Sequence, residues 1–248
     1  LSSKMKDKMH TIIDKMKESL CQHPITLSNL RKEDTIAFNQ AKYIEEYSSC
    51  PVYDNSATKF LPSGEEFFKH LTEELKRAER YIFMEFFIIE EGIMWNTILE
   101  ILKEKAKQGL DVRVIYDDFG CVTRLPHNYY KILEGYGIKC SVFNPYIPIM
   151  SFRLNNRNHR KIAVIDGKTA YTGGVNLADE YINAVERFGH WRDNGLEIKG
   201  DAVWSLTVMF LSMWGYLRKN DENYQNFRPE TYDQSEECHG YVQPFDDS

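Results

Sequence analysis

The stretch Asn158 to Asn176, NHRKIAVIDGKTAYTGGVN, gathers residue types that handle phosphate esters. It holds His159-x-Lys161, then Asp166, then Gly173-Gly174-x-Asn176. An imidazole attacks phosphorus or carries a proton, an ammonium neutralises oxyanions, and a carboxamide or a glycine N–H donates to them. Ile162 to Ile165 is apolar and β-prone, and Asp166-Gly167 is a strong hairpin signal. With a two-residue turn at Asp166 and Gly167, Ile165 faces Lys168, Lys161 faces Thr172 and His159 faces Gly174. His159 and Lys161, two apart on an extended strand, project from one face. Imidazole, ammonium and the Asn176 carboxamide are therefore expected to converge beside two glycines with unshielded N–H groups, a phosphate-binding arrangement. Asp166 is about 16 Å along the strand from Lys161. It reads as a turn residue that hydrogen-bonds its own backbone and holds the hairpin. In a chain of this composition the whole pattern arises by accident on the order of once in 10⁵.

The elements that must position this segment alternate. A helix is expected over Gly64 to Ala78, a buried strand over Tyr81 to Ile89, a helix from Ile93 to Lys107 and a strand over Val112 to Tyr116. A helix near Pro126 to Glu134 and a strand over Ile138 to Phe143 follow, with Gly109 and Gly135/Gly137 placed as helix C-caps. Residues 143–158 break the pattern with Pro145, Pro148, Asn155, Asn156 and Asn158. After the hairpin come a third strand, Gly189 to Ile198, and a closing helix, Asp201 to Leu217. This alternation argues for an α/β sandwich with a largely parallel sheet. Upstream, residues 1–20 read as a helix with Met5, Met9, Ile12, Ile13, Met16 and Leu20 at helical spacing and five lysines elsewhere. Two readings are open for it: a surface helix packed on its own domain, or a cationic amphipathic segment at a membrane surface. The tail from Asn220 is polar and irregular.

The chain has 248 residues, 42 % hydrophobic and 13 % aromatic, enough for a packed core in one large domain or two small ones. No run of ~18 uncharged apolar residues is present, and the lysine-bearing start is no secretory signal. A net charge of −6, from 31 basic and 37 acidic residues, argues against general adhesion to nucleic acid. Cys21, Cys50, Cys121, Cys140 and Cys238 are widely spaced with no C-x-x-C pair, which suits a reducing compartment and argues against a metal site or disulfide framework. The chain begins at Leu1 rather than methionine and is expected to be a piece of a longer protein.

The central stretch resembles the HxKxxxxDxxxxxxGGxN (HKD) signature of the phospholipase D superfamily, in the variant of the bacterial cardiolipin synthases. The similarity extends through TKFLPSGEEFFKHL, YIFMEFFII, VRVIYDDFG, LADEYIN and FGHWRD, over about residues 55–217. The resemblance implies an α-β-α sandwich with a mixed, largely parallel sheet, built of two similar halves that each bear one HKD motif. It implies transfer of a phosphatidyl group between alcohols through a phosphohistidine, two phosphatidylglycerols giving cardiolipin plus glycerol, with no cofactor. Only one copy of the motif is present here, since no other histidine has lysine two residues on. The implied layout is a helical or amphipathic region over 1–54, a catalytic half-domain over 55–219, and a polar tail or linker over 220–248 toward a second half. The implied partners are an anionic phospholipid such as phosphatidylglycerol, a membrane surface, and a second HKD half-domain or a homodimer partner. The implied location is the cell membrane, with the catalytic domain on its cytoplasmic side and this fragment soluble.

One histidine cannot both attack phosphorus and protonate the leaving alcohol in one step, so the resemblance makes His159 either nucleophile or acid. Lys161 and Asn176, with Gly174, would hold the non-bridging oxygens. The family places an acidic residue after its histidine at about the distance of Asp193, the candidate to orient the imidazole; a surface charge beside Arg192 is the other reading. Glu85, inside an apolar strand, needs a partner cation or a site role. Asp117 and Asp118 end a strand at the sheet's carboxyl edge, where α/β ligands bind. Arg153, Arg157 and Arg160 form either a solvated basic loop or an anchor for anionic headgroups. Tyr146, Ile147, Ile149, Met150 and Phe152 suggest that this loop meets the bilayer. Two further readings stand beside the transferase half: a single-motif homodimer hydrolysing phosphodiesters such as DNA, and a non-catalytic domain that binds phosphate or lipid.

Overall fold

The computed structural model describes residues 3–145, 157–232 and 238–246 of the chain, residues 3–10 as backbone. In chain order the elements are α1 (Ser3–Ser19), α2 (Pro24–Glu33), α3 (Thr35–Ser48), β1 (Ser56–Leu61), α4 (Gly64–Arg77), β2 (Tyr81–Phe86), α5 (Ile93–Lys107), β3 (Asp111–Asp117), α6 (Asp118–Cys121), α7 (Tyr129–Gly135), β4 (Lys139–Phe143), β5 (Ile162–Ile165), β6 (Thr169–Gly173), β7 (Gly195–Gly200) and α8 (Val203–Arg218). The strands form one seven-stranded sheet in the order β1-β7-β6-β5-β2-β3-β4. It is mixed: β2, β3 and β4 are parallel, while β5 runs antiparallel to β2. The fold class is the α/β one that the strand–helix alternation implied.

The chain divides into two compact units. One comprises residues 59–166 and 170–197 and holds the motif. Here α4 begins with Ser63, whose hydroxyl accepts from the Glu66 N–H, and carries Glu65 and Glu66 in its first turn and Lys76 and Arg77 in its last, as the helix dipole favours. Its buried Phe67, Leu71 and Leu75 fall four apart on one stripe. The carboxylate of Asp179 caps α5 from outside, accepting from the Ile93 and Met94 N–H groups at 2.9 and 2.8 Å. Every residue of β2 is buried, as befits an interior strand. The other unit comprises residues 1–58, 167–169 and 198–248. In it α1 packs along α8, and the Trp204 indole N–H donates to the Ser19 carbonyl at 2.9 Å. A small core of Leu30, Ala41 and Val52 joins α2 and α3.

Several boundaries differ from the sequence reading. The apolar run after Tyr81 leaves the ladder at Phe86, because the Ile88 N–H turns to the Asn176 side chain. The strand expected over 189–198 forms six residues later, over Gly195–Gly200. Left-handed Asn183 (φ 53°) and Gly189 (φ 94°) break extended backbone, and the Asn183 carboxamide ties back to Trp191 N–H and C=O at 2.7 and 3.0 Å. The tail is less irregular than expected: Tyr224–Phe227 is a 3-10 turn, and Val242 bridges to Tyr53. The Tyr146–Phe152 loop and Arg153 lie outside the described residues.

Asp166 also differs from expectation. The turn takes in Asp166, Gly167 and Lys168, with Asp166 (φ 55°) and Gly167 (φ 71°) both in the left-handed region. The Asp166 carboxylate does not serve its own backbone. It accepts from the N–H groups of Glu79, Arg80 and Tyr81, each at 2.8 Å, while its own N–H donates to the Tyr81 carbonyl at 3.0 Å. These contacts lock the start of β2 to the end of β5. Asp166→Asn keeps the size and tolerates the left-handed φ of 55°. It loses acceptor capacity for buried N–H groups and is expected to lower the unfolding free energy by about 2–4 kcal/mol. Equilibrium urea denaturation at neutral pH checks this, and an unchanged midpoint would refute the clamp.

Candidate active site

The parallel pair β2–β3 sets its carboxyl ends side by side. Because β5 is antiparallel to β2 with Ile162 opposite Glu85, residues 157–161 enter at that same edge. Two buried carboxylates hold them there. Glu85, 1 % exposed within β2, faces Arg160, whose Nε lies 3.0 Å from Oε1, and the Asn158 carboxamide donates to the same oxygen. Asp117, also 1 % exposed, ends β3; it accepts the Asn158 N–H on Oδ2 and the Phe119 N–H on Oδ1, each at 2.9 Å. Burial pushes its carboxyl pKa up, and these N–H groups oppose the rise. Arg157 stacks its guanidinium over the Phe119 ring, 4.1 Å from the centroid. Asp118 opens α6 and is half-buried.

On this footing His159 presents an exposed imidazole packed on Phe87, centroids 4.9 Å apart. Partial burial and then the Lys161 charge lower its pKa below the usual value, against the opposing charge of Asp117, and so favour the neutral ring. Lys161 is buried; its Nζ donates to the His159 carbonyl at 2.7 Å and lies 5.8 Å from the Phe87 centroid. Burial pulls its pKa from 10.5 to about 8, while the negative charge of Asp193 works the other way.

The buried Asn176 carboxamide accepts the Ile88 N–H at 3.0 Å and donates one of its two amide hydrogens to the Tyr181 hydroxyl at 2.9 Å. Imidazole, amine and carboxamide thus share one neighbour, the Phe87–Ile88 segment at the end of β2. The glycines play a different part from the one expected. The Gly174 N–H is not open to a ligand but donates to the Asn194 carbonyl at 3.1 Å. A Cβ on Gly174 would stand 1.9 Å from Asp193 Oδ1, and one on Gly173 2.5 Å from the Asn194 carbonyl oxygen. The pair admits the 193–195 segment against the motif. Asp193 accepts from Asn194 N–H at 2.9 Å and from the Trp191 indole N–H at 3.4 Å, and its charge falls on Lys161. Among the described residues no cluster of three or more His, Cys, Asp or Glu side chains is placed to hold a metal ion, and no helix is long and apolar enough to cross a membrane.

Residues 71–214 match the family described as cardiolipin synthase, phospholipase D-like domain. The chain belongs to this family. It is 43 % identical over 224 residues to an uncharacterized protein of Streptococcus mutans, covering 90 % of this chain and 48 % of that one. It is 40 % identical over 167 residues to the cardiolipin synthase of Alkalihalophilus pseudofirmus, covering 67 % of this chain and 33 % of the enzyme. Among solved structures, phosphatidylserine synthase of Haemophilus influenzae superimposes with a TM-score of 0.53 at 18 % identity, over 77 % of this chain and 46 % of that one, a likeness of fold. The chain thus spans a third to a half of the curated relatives it matches.

Phe87 and Asn158 are the site residues that sequence reasoning did not single out. Asn158 stood directly before the histidine; nothing in its type announced that it would bind two carboxylates from separate strands.

The buried Lys161 ammonium carries a testable cost. Below pH 8 it is charged in both folded and unfolded chains, so its desolvation penalty is fully present. Between about 8 and 10.5 the unfolded chain holds more protons, and stability rises with pH as the penalty is relieved. Lys161→Met is therefore expected to be more stable than the parent by about 1–3 kcal/mol at pH 7, with the gap closing by pH 10.5. Denaturant titrations of both proteins at the two pH values decide it; a gap independent of pH would contradict the assignment.

Proposed function

We propose that the chain is one half of a phosphatidyltransferase centre, working with a second HKD motif from another half-domain or a second copy. Membership of the cardiolipin synthase family supports the reaction class, and the paired state of His159 and Lys161 supports the chemistry. An imidazole whose neutral form is favoured stands beside a desolvated ammonium at one sheet edge, which is what nucleophilic attack on a phosphodiester needs.

In this reading His159 is either the nucleophile or the general acid, and the partner motif takes the other role. As nucleophile, its nitrogen forms a bond to phosphorus, and the glycerol headgroup leaves with a proton from the partner acid. The hydroxyl of a second phosphatidylglycerol, giving up its proton to the partner residue now acting as base, then displaces the imidazole and gives cardiolipin. Lys161 and the Asn176 carboxamide neutralise the non-bridging oxygens, which are stabilised most as the pentacoordinate state forms. Asp193 sustains the Lys161 charge. Arg157 favours an anionic headgroup, while Arg160 is held by Glu85, and the lipid substrate implies work at a membrane surface; the cytoplasmic side is part of the same proposal. No metal or other cofactor enters the scheme. The exposure of His159 suits a site completed by a partner.

In a preparation that turns over phosphatidylglycerol vesicles, His159→Asn is expected to abolish cardiolipin formation, at least about 10³-fold, and Asp193→Asn to slow it strongly without unfolding the protein. Full activity of His159→Asn would end this reading. A sedimenting dimer of the chain that nicks plasmid DNA in the presence of a chelator would favour the homodimeric phosphodiesterase instead. Phosphate binding with neither activity would favour the non-catalytic domain.

A further inference from the structure

Asp117 lies beneath the site and touches none of the groups that would meet phosphate, yet it joins the two segments on either side of the imidazole. One oxygen takes the Asn158 N–H, one peptide before His159, and the other takes the Phe119 N–H at the start of α6. Arg157 closes the link from above by stacking on the Phe119 ring. We infer that Asp117 is a positioning residue for His159, acting through the Asn158 backbone; this rests on the phosphatidyl-transfer reading and assigns a task to a residue outside the HKD signature.

The geometry separates this role from simple helix capping. A cap serves its own helix, and Asp117 does serve α6 through Phe119. The second oxygen, however, reaches 41 residues along the chain to the peptide N–H of Asn158, the residue just before His159. A carboxylate alone offers both oxygens as acceptors without a donor in between. Its negative charge also faces the ring. The charged groups around His159 are Arg157, Arg160 and Lys161 on its own segment, Glu85 from β2 paired with Arg160, Asp117 from β3, and Asp193, whose charge falls on Lys161. Of the carboxylates, Asp117 is the one whose charge acts on the imidazole.

The test uses this chain in NMR and an active preparation in kinetics. In the parent chain the Asn158 amide is expected to exchange at least about 100-fold more slowly than an open peptide. In Asp117→Asn that protection falls, the His159 titration midpoint moves down, and kcat on phosphatidylglycerol vesicles drops about 10–100-fold with KM within about twofold. Asp117→Glu, which keeps the charge, restores the titration midpoint. An unprotected Asn158 amide in the parent chain overturns the inference, as does an Asp117→Asn protein with unchanged titration and kcat. If Asp117→Asn does not fold, the parent exchange rate and the Asp117→Glu titration decide. Should phosphatidylglycerol not be turned over, the transfer reading fails, while exchange and titration still report on Asp117.

Discussion

The Asp166 carboxylate, gripping three successive N–H groups at Glu79, Arg80 and Tyr81, is the contact on which the site depends. It joins the far end of the motif hairpin to the first residue of the central strand. The ladder then pairs Ile82 with Ile165 and Glu85 with Ile162. A slip of one residue would turn every side chain of β5 to the other face. The histidine end of the motif therefore owes its place to an aspartate at the opposite end of the same strand.

Buried carboxylates do comparable work elsewhere in this unit. Glu85 and Asp117 hold the approach to His159. Each supplies acceptors to N–H groups or cations that would otherwise be stranded away from water, the condition under which a buried charge is tolerated. Lys161 is the counter-case. Its ammonium has a carbonyl and the field of Asp193, and burial still drags its pKa toward neutrality. Under the phosphatidyl-transfer proposal, the compensation that the fold withholds from this cation comes from the phosphate of the substrate.

Much of this was readable in the chain. The helices α4 and α5 and the strand β3 follow from periodicity. The spacing of His159, Lys161 and Asn176 marked the chemistry. What stayed hidden is contact between residues far apart in sequence. Asp166 serves amides 85 to 87 positions away, and Glu85 meets Asn158 across 73. Local signals carry no trace of such partners, so Asp166 looked like an ordinary turn residue. The misplaced β7 has a different cause: the Asn183 side chain and the positive φ of Gly189 override the weak strand propensity of the preceding loop.

The bare Cα atoms at 173 and 174 make room for a neighbour that arrives twenty residues later in the chain. Glycine at 174 and aspartate at 193 thus constrain each other as lock and tenant, whereas 173 faces the Asn194 and Gly195 backbone whatever side chain stands at 193. A lineage that abandons the carboxylate is free to refill the vacated space with an alanine or serine, whereas one that keeps it is not. The two positions should be inherited as a single character, and a homologue with a bulky residue at 174 must have rerouted its 193–195 segment.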